Sequence, residues 1–449
     1  ICNHNKINIV KEIKFPHSLG LLYSSFTYYV GFKVNSGEYK LMGLAPYGKP
    51  IYKSLIFQEL VFVNDDGSFK LNMKYFNYTT GLTMINSKFY DLFGRPPREE
   101  NDRLEQFHMD IAASIQFVIE NIIIKIAKNL AYEFHIDNLC LAGGVALNCV
   151  ANGKLANTGL FKNIWIQPAA GDAGGSIGAA LALYYNELGY ERHTTSKDTM
   201  QKSLLGTSFS DDEVEKSLEN INATFKKYKQ SDIIKNTACY LSHGKIVGWF
   251  QGEMEFGPRA LGGRSILADP RSETVQNNLN MKIKYRESFR PFAASILSKF
   301  VKKYYDINES ASLSLPYMLV VAKLKQKYCL DFDNKNLNES IFELAKIKKS
   351  IFPAVTHVDH TTRIQSVDKD NGLFFDLLNL FHKKTGCPIL VNTSFNIRGE
   401  PIVNSPEEAY KCFLGTEIDV LIINNYILLK EDQFTSVNKY DYKNSFELD

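Results

Sequence analysis

From residue 104 to 188 the chain alternates helical text with short apolar segments that break abruptly on small residues, and this rhythm constrains the fold most. The run LEQFHMDIAASIQFVIENIIIKIAKNLAYEFHI, beginning at residue 104, repeats apolar side chains at helical spacing with no internal Gly or Pro, which predicts one long helix. A short strand at Leu139–Leu141 then meets Gly143 and Gly144. A second small-residue turn, PAAGDAGG at 168–175, opens the helical SIGAALALYYNEL. Strand, glycine turn, helix is the signature of α/β rather than all-β architecture.

The 449 residues exceed the ~100–200 typical of one domain. Between about 186 and 210 the text turns polar and rich in Ser and Thr, which places a boundary near 200: a first domain over 1–200 and a second over 201–435, with a polar tail at 436–449 that is expected to fray. Within the second domain DDEVEKSLEN reads as a helix, IVGWF as a buried strand, and FFDLLNLFHKKTGCPILVNTSF as a helix turning into a strand. The Lys- and Asn-rich region 300–350 reads as peripheral.

Charge excludes several functions. Fifty-two basic residues against 49 acidic ones leave a net +3, too little for a surface that grips a phosphate backbone or an anionic membrane. No apolar run approaches the ~20 residues of a bilayer span. The seven cysteines are scattered and never form C-x-x-C, which argues against a disulfide framework or a thiolate zinc site and points to a reducing, cytoplasmic setting. The opening ICNHNKINIVKEIKF has no signal-peptide pattern and no initiator Met, and it reads as mid-chain text.

The chemistry concentrates in a few segments. In LAGGVALNCVANGKL, Gly143 and Gly144 let a ligand approach peptide N–H groups, and Asn148 and Asn152 are four apart on the following helix; a tight turn packed for steric reasons is the competing reading. Asp172 lies among small residues, with Gly174 and Gly175 just beyond, where it could reach a cation or a ribose hydroxyl; by itself a helix N-cap is the better explanation. The stretch VGWFQGEMEFGPRALGGRSILADPR, followed by KIKYRESFRPFAASIL, holds Arg259, Arg264, Lys284 and Arg290 among glycines and aromatics, as an anion site requires. In PAVTHVDHTTRIQSV the β-branched neighbours suggest an extended strand; His357 and Asp359 could share a face, which His360 could not, and Arg363 is preferred as a phosphate ligand over a metal site. In VNTSFNIRGEPIV, Asn392, Thr393, Ser394 and Asn396 follow a buried strand directly.

Together these segments closely resemble the carbamoyltransferase family of the NodU/CmcH type. GEYKLMGLAPYGKP, LAGGVALNCVANGKL, QPAAGDAGGSIGAAL, GWFQGEMEFGPRALGGRSILADPR, KYRESFRPFA, HVDHTTRIQ and TGCPILVNTSFNIRGEPIV occur in the family's order over about residues 18 to 427. The resemblance implies an actin-like ATPase-type (ribonuclease H-like) domain followed by a YrdC-like α/β domain. It implies carbamoyl-adenylate formation from carbamoyl phosphate and ATP in the second domain, then carbamoyl transfer in the first to a hydroxyl of a small metabolite or sugar. Carried over by position, Arg259, Lys284, Arg290, Arg363 and Ser394 fall on phosphate and carbamoyl-phosphate contacts. Gly143, Gly144 and Asn148 fall on the turn that approaches the adenylate, with Gly174, Gly175 and Asn392 as further nucleotide-binding positions. Asp172 falls on a carboxylate ligand of a divalent metal: iron by the resemblance, with magnesium or manganese compatible with the same oxygen donor.

The sequence departs from the family at His360, Thr362, Gly263 and Ala294. The family's H-x-x-x-H metal pair and its general base precede a segment like PHSLGLLYSS at 16–25, and none of the nine histidines here forms H-x-x-x-H. The expectation is therefore a first domain lacking its front, served by an N-terminal complementing segment or working as a homodimer. Beside O-carbamoyl transfer stand two alternatives: tRNA threonylcarbamoylation, weakened by the near-neutral charge, and a nucleotide-binding fragment or subunit that cannot complete transfer.

Overall fold

The computed structural model describes residues 1–99, 102–193, 198–330, 347–433 and 442–446. The chain divides into two compact units: residues 1–199 with 308–313, and residues 200–307 with 314–449.

The first unit is built on the helix Gln106–Phe134, 29 residues long, as the apolar spacing predicts. Its amino end is closed by a reciprocal cap, in which the Glu105 side chain accepts the His108 N–H and His108 Nδ1 accepts the Glu105 N–H. Burial of His108 pulls its imidazole pKa below the usual range. The first half of the helix, from His108 to Ile122, is the buried half and carries the unit's core. Phe26 and Tyr29, from the helix Leu19–Tyr29, make edge-to-face contacts with Phe89 at 5.3 and 5.2 Å. Small hairpins pair β1 (Cys2–Asn3) with β2 (Lys6–Ile7) and β3 (Val61–Val63) with β4 (Phe69–Leu71). β5 (Asn138–Leu141) runs parallel to β6 (Asn163–Ile166). Parallel sheets are normally covered on both faces. Here β5 is only partly covered, and the helix Gly174–Ala182 that follows buries none of its residues. Residues 308–313 join this unit, where Ser310 Oγ donates to the Ala156 carbonyl at 3.1 Å.

The second unit is organised by a ten-stranded mixed sheet, so the chain is α/β. In chain order its strands are β7 (Lys226–Lys227), β8 (Val247–Phe250), β9 (Arg264–Ala268), β10 (Ala293–Leu297), β11 (Tyr305–Asp306), β12 (Val320–Leu324), β13 (Thr361–Val367), β14 (Ile389–Ser394), β15 (Val420–Ile423) and β16 (Tyr426–Leu429). Their order across the sheet is β11-β12-β13-β10-β14-β9-β8-β15-β16-β7. β8, β9, β10 and β15 bury every residue, and this explains why IVGWF reads as continuously apolar instead of alternating. The helices Gln230–Ser242 and Gly372–Thr385 pack on one another. The latter ends at Gly386 with φ +74°, a left-handed stop before β14.

Three expectations need correction. Region 300–350 is not simply peripheral: it supplies β11 and β12 and buries Tyr305, Tyr317 and Leu319, because the Lys-rich text is interleaved with large apolar groups; its portion at 331–346 lies outside the described residues. The extended reading of 353–367 holds only from Thr361, since residues 353–360 form turns and His360 has φ +62°. Residues 442–446 of the polar tail do not fray but pack on the second unit, where Tyr442 hydrogen-bonds Glu400.

Candidate functional site

In the first unit the two glycine turns meet. Because β5 and β6 are parallel, the turns that leave them emerge at the same end, and the Gly143 N–H donates to the Ala170 carbonyl at 2.8 Å. Gly143 has φ +92°, which excludes ordinary side chains. A Cβ added at Gly143, Gly144 or Gly175 would meet nothing within 4 Å, so a ligand can approach this backbone closely. Gly174 differs: a Cβ there would fall 2.3 Å from the Ala169 carbonyl oxygen, so this glycine serves packing.

The asparagines of this region are committed internally. Asn148 caps the helix Cys149–Asn157 by accepting the Ala151 N–H at 3.1 Å, and it exchanges two amide bonds with Gln116, each 3.1 Å. Gln116 also accepts from Tyr23 and donates to Glu120, both at 2.9 Å, and Glu120 receives Lys154 Nζ. Sequence spacing identified Asn148 but not this network, because Gln116, Glu120 and Tyr23 read as ordinary helix residues. Asn152 is buried and donates to the Ala146 carbonyl at 2.8 Å, so it does not join Asn148 on a ligand-facing surface.

Asp172 is exposed, and its backbone carbonyl accepts the Gly175 N–H at 3.0 Å. Ala173 is the residue that caps the next helix, without a side-chain bond, so the capping explanation of Asp172 fails as well. Among the described residues no group of three or more His, Cys, Asp and Glu is placed to hold a metal ion. Asp172 therefore belongs to no such cluster and by itself does not fit a metal site.

In the second unit the sheet register gathers one end. Ser394 at the end of β14 is opposite Ser265 at the start of β9, and Asn392 is opposite Ala293 at the start of β10. β13 runs parallel to β10, with Ile364 opposite Ala294. The start of β9, the start of β10 with Arg290 just before it, the start of β13 with Arg363, and the end of β14 thus share one edge of the sheet. Lys284 joins them through Ser394. The loop with Arg259 is held by buried Glu255, whose carboxylate accepts the N–H groups of Leu261 (2.5 Å), Gly263 (2.7 Å) and Arg264 (3.2 Å). A Cβ at Gly263 would lie 2.5 Å from the Glu253 carbonyl oxygen, which explains a glycine at this departure from the family pattern.

Side-chain commitments sort these candidates. Arg264 is fully buried, stacks 3.5 Å from the Phe250 ring and donates to the carbonyls of Gln251, Gly252, Gly263 and Thr207, so it is a loop tie and not an anion ligand. Burial brings its pKa down to about 10, against the pull of Glu255. Lys284 has 3% exposure, and its Nζ donates to Ser394 O (2.5 Å), Ser394 Oγ (3.2 Å), Asn396 O (2.9 Å) and Asn396 Oδ1 (2.7 Å). Burial first, then the neighbouring Arg286, hold its pKa well below the usual lysine range. The Ser394 hydroxyl is likewise spent on Asn396 Oδ1 at 2.7 Å. Lys284 and Ser394 therefore shape the loop and do not offer open phosphate contacts. Asn392 is buried between Ser295 and Gln365, accepting nothing at Oδ1, while Gln365 donates to the Leu261 carbonyl at 2.7 Å. Arg290 lies 3.4 Å from Glu287, which also faces Arg398 at 3.8 Å. Arg363 is half-buried, with its Nε shielded from solvent and without a partner.

Comparisons with known proteins identify the family. A model of the carbamoyltransferase N-terminus matches residues 1–181, and one of the carbamoyltransferase C-terminus matches 238–430. An uncharacterized protein of Synechocystis sp. is 52% identical over 98% of this chain and 71% of its own length. The nodulation protein NolO of Bradyrhizobium diazoefficiens is 34% identical over 94% of this chain and 71% of its own. The chain belongs to the carbamoyltransferase family. The nodulation protein NolNO of Sinorhizobium fredii is 36% identical over 93% of the chain, which spans 56% of that protein. The N-terminal match begins at residue 1, inside the text that reads as mid-chain. Among the described residues no helix is long and apolar enough to cross a membrane.

Proposed function

We propose that this carbamoyltransferase works as an O-carbamoyltransferase in which the second unit, read as YrdC-like, makes carbamoyl-adenylate. The first unit, read as actin-like, passes the carbamoyl group to a hydroxyl of a small metabolite or sugar. Carbamoyl phosphate and ATP are the co-substrates. For the atoms to balance, the P–O bond of carbamoyl phosphate breaks as its phosphoryl group passes to water, forming orthophosphate and leaving carbamate. A carbamate oxygen then bonds to the α-phosphorus of ATP as the bond to pyrophosphate breaks. The phosphate of carbamoyl phosphate and the triphosphate of ATP at one place concentrate negative charge, which fixed cations must offset as the transition state forms.

The observation that carries this reading is Arg363: a guanidinium at the gathered sheet edge whose buried Nε has no partner. Such a donor is costly unless an anion satisfies it. Arg259, on the loop before β9, and Arg290, just before β10, are its proposed companions. In the first unit, the empty space beside Gly143, Gly144 and Gly175 leaves room for an adenylate phosphate to lie against the backbone. Soluble, cytoplasmic chemistry on small metabolites accords with the near-neutral charge.

The test is carbamoyl-phosphate-dependent exchange of labelled pyrophosphate into ATP. The purified chain is expected to catalyse it, and Arg363→Ala to lower kcat/KM by about 100-fold, as for the loss of one transition-state donor. Exchange that proceeds equally well in Arg363→Ala refutes the site assignment.

A further inference from the structure

The segment Ser394–Glu400 is held from a direction the sequence gives no hint of. Tyr442, in the polar tail, donates its hydroxyl to Glu400 Oε1 at 2.5 Å. Glu400 Oε2 accepts the Ile397 N–H at 2.7 Å, and the Glu400 carbonyl accepts Asn396 Nδ2 at 2.6 Å. Asn396 Oδ1 in turn receives both Lys284 Nζ and the Ser394 hydroxyl. An unbroken chain of hydrogen bonds thus runs from Tyr442 through Glu400 and Asn396 to Lys284 and Ser394. The Arg398 N–H, donating to the Lys284 carbonyl at 3.0 Å, closes the loop from its other side.

The docking of Tyr442 is built, not incidental. Its ring lies over Gly415, where an added Cβ would come within 2.3 Å of the ring carbon Cδ1, so only glycine admits the ring. The Gly415 carbonyl accepts the Tyr285 hydroxyl at 2.8 Å, and Lys443 Nζ sits 5.5 Å from the Tyr285 ring centre. Tyr285 adjoins Lys284 in sequence. Two consecutive tail residues therefore grip the segment that carries Lys284, the end of the helix Pro406–Gly415, and the 394–400 loop.

From this geometry we infer that Tyr442 and Glu400 are positioning residues for carbamoyl-adenylate formation: they fix the 394–400 loop that forms one wall of the gathered sheet edge. The inference rests on the proposed function, and its test separates the two. In the full chain, Tyr442→Phe keeps the ring over Gly415 but removes the hydroxyl; Gly415→Ala displaces the ring.

Two measurements apply. Hydrogen exchange of the Ile397 and Arg398 amides is expected to quicken about tenfold in Tyr442→Phe, with β14 amides such as Val391 unchanged. Pyrophosphate exchange is expected to lose about tenfold in kcat per folded molecule with the KM for ATP unchanged, and unchanged protection of Val391 excludes a mere fall in the folded fraction. Gly415→Ala is expected to reproduce both effects. Unchanged amides at 397 and 398 overturn the anchoring. Faster amides with wild-type exchange kinetics overturn the positioning role. If the unmutated chain itself catalyses no exchange, the proposed function fails, and the amide measurement alone then decides whether the tail anchors the loop.

Discussion

The glycine turns of the first unit and the cation-bearing loops of the second were equally conspicuous in sequence, yet they are built in opposite ways. At Gly143, Gly144 and Gly175 the backbone stays open, with space where a side chain would be. In the second unit the prominent cations are buried and largely committed: Arg264 gives its two terminal nitrogens to four carbonyls, leaving only Nε unfilled, and Lys284 is held on Ser394 and Asn396. A cation in a glycine-rich loop has two uses, meeting a ligand's charge or stitching the loop that meets it. An ammonium or guanidinium that ties loop carbonyls together takes the second role. The first is the role proposed for Arg363, whose buried Nε has no partner, and for its neighbours at the sheet edge.

This contrast can be broken experimentally, and the largest effect is expected at the stitching lysine. Lys284→Met leaves buried oxygens of Ser394 and Asn396 without their donor, and the second unit should lose about 4 kcal/mol. The chain's two tryptophans, Trp165 and Trp249, lie one in each unit. Urea unfolding of a Trp165→Phe background, followed by Trp249 fluorescence, reads the second unit alone; a loss below about 1 kcal/mol would make Lys284 a ligand contact after all.

A second buried lysine gives the unit a pH signature. Burial lowers the Lys349 pKa to about 8 from its ordinary 10.5. Between these values the unfolded chain holds a proton that the folded chain has released, so stability rises with pH through this window, by at most about 3 kcal/mol. In Lys349→Met the rise should vanish. Persistence of the full slope in that variant would trace it to another group.

Smaller effects separate the glycines of the first unit. Gly174→Ala drives a Cβ to 2.3 Å from the Ala169 carbonyl oxygen and should cost about 2 kcal/mol, measured through Trp165 in a Trp249→Phe background. Gly144→Ala has open space around its Cβ and should cost under about 0.5 kcal/mol while weakening nucleotide binding, measured by calorimetry with ATP. Equal stability losses at the two positions would erase the distinction between packing and binding glycines.

Much of the architecture was legible in the chain. Periodicity identifies the helix Gln106–Phe134, and the apolar run IVGWF identifies a buried central strand, since both depend on local patterning. The identity of Arg363 and Arg259 as candidates was equally legible from their motifs. The extended reading of 353–360 failed because β-branched propensity is weak against turn geometry, as the left-handed His360 shows. Lys284 and Ser394 were legible as candidates, but not their bond to one another, which joins segments 110 residues apart.

By itself, then, the sequence determined the α/β class, the glycine turns and the set of charged residues from which a site could be drawn. Only the tertiary structure decided which of those charges have partners already, and that Tyr442 reaches the loop at Glu400. The physical reason is that a motif specifies donors and acceptors, whereas their availability depends on distant backbone atoms brought near by folding.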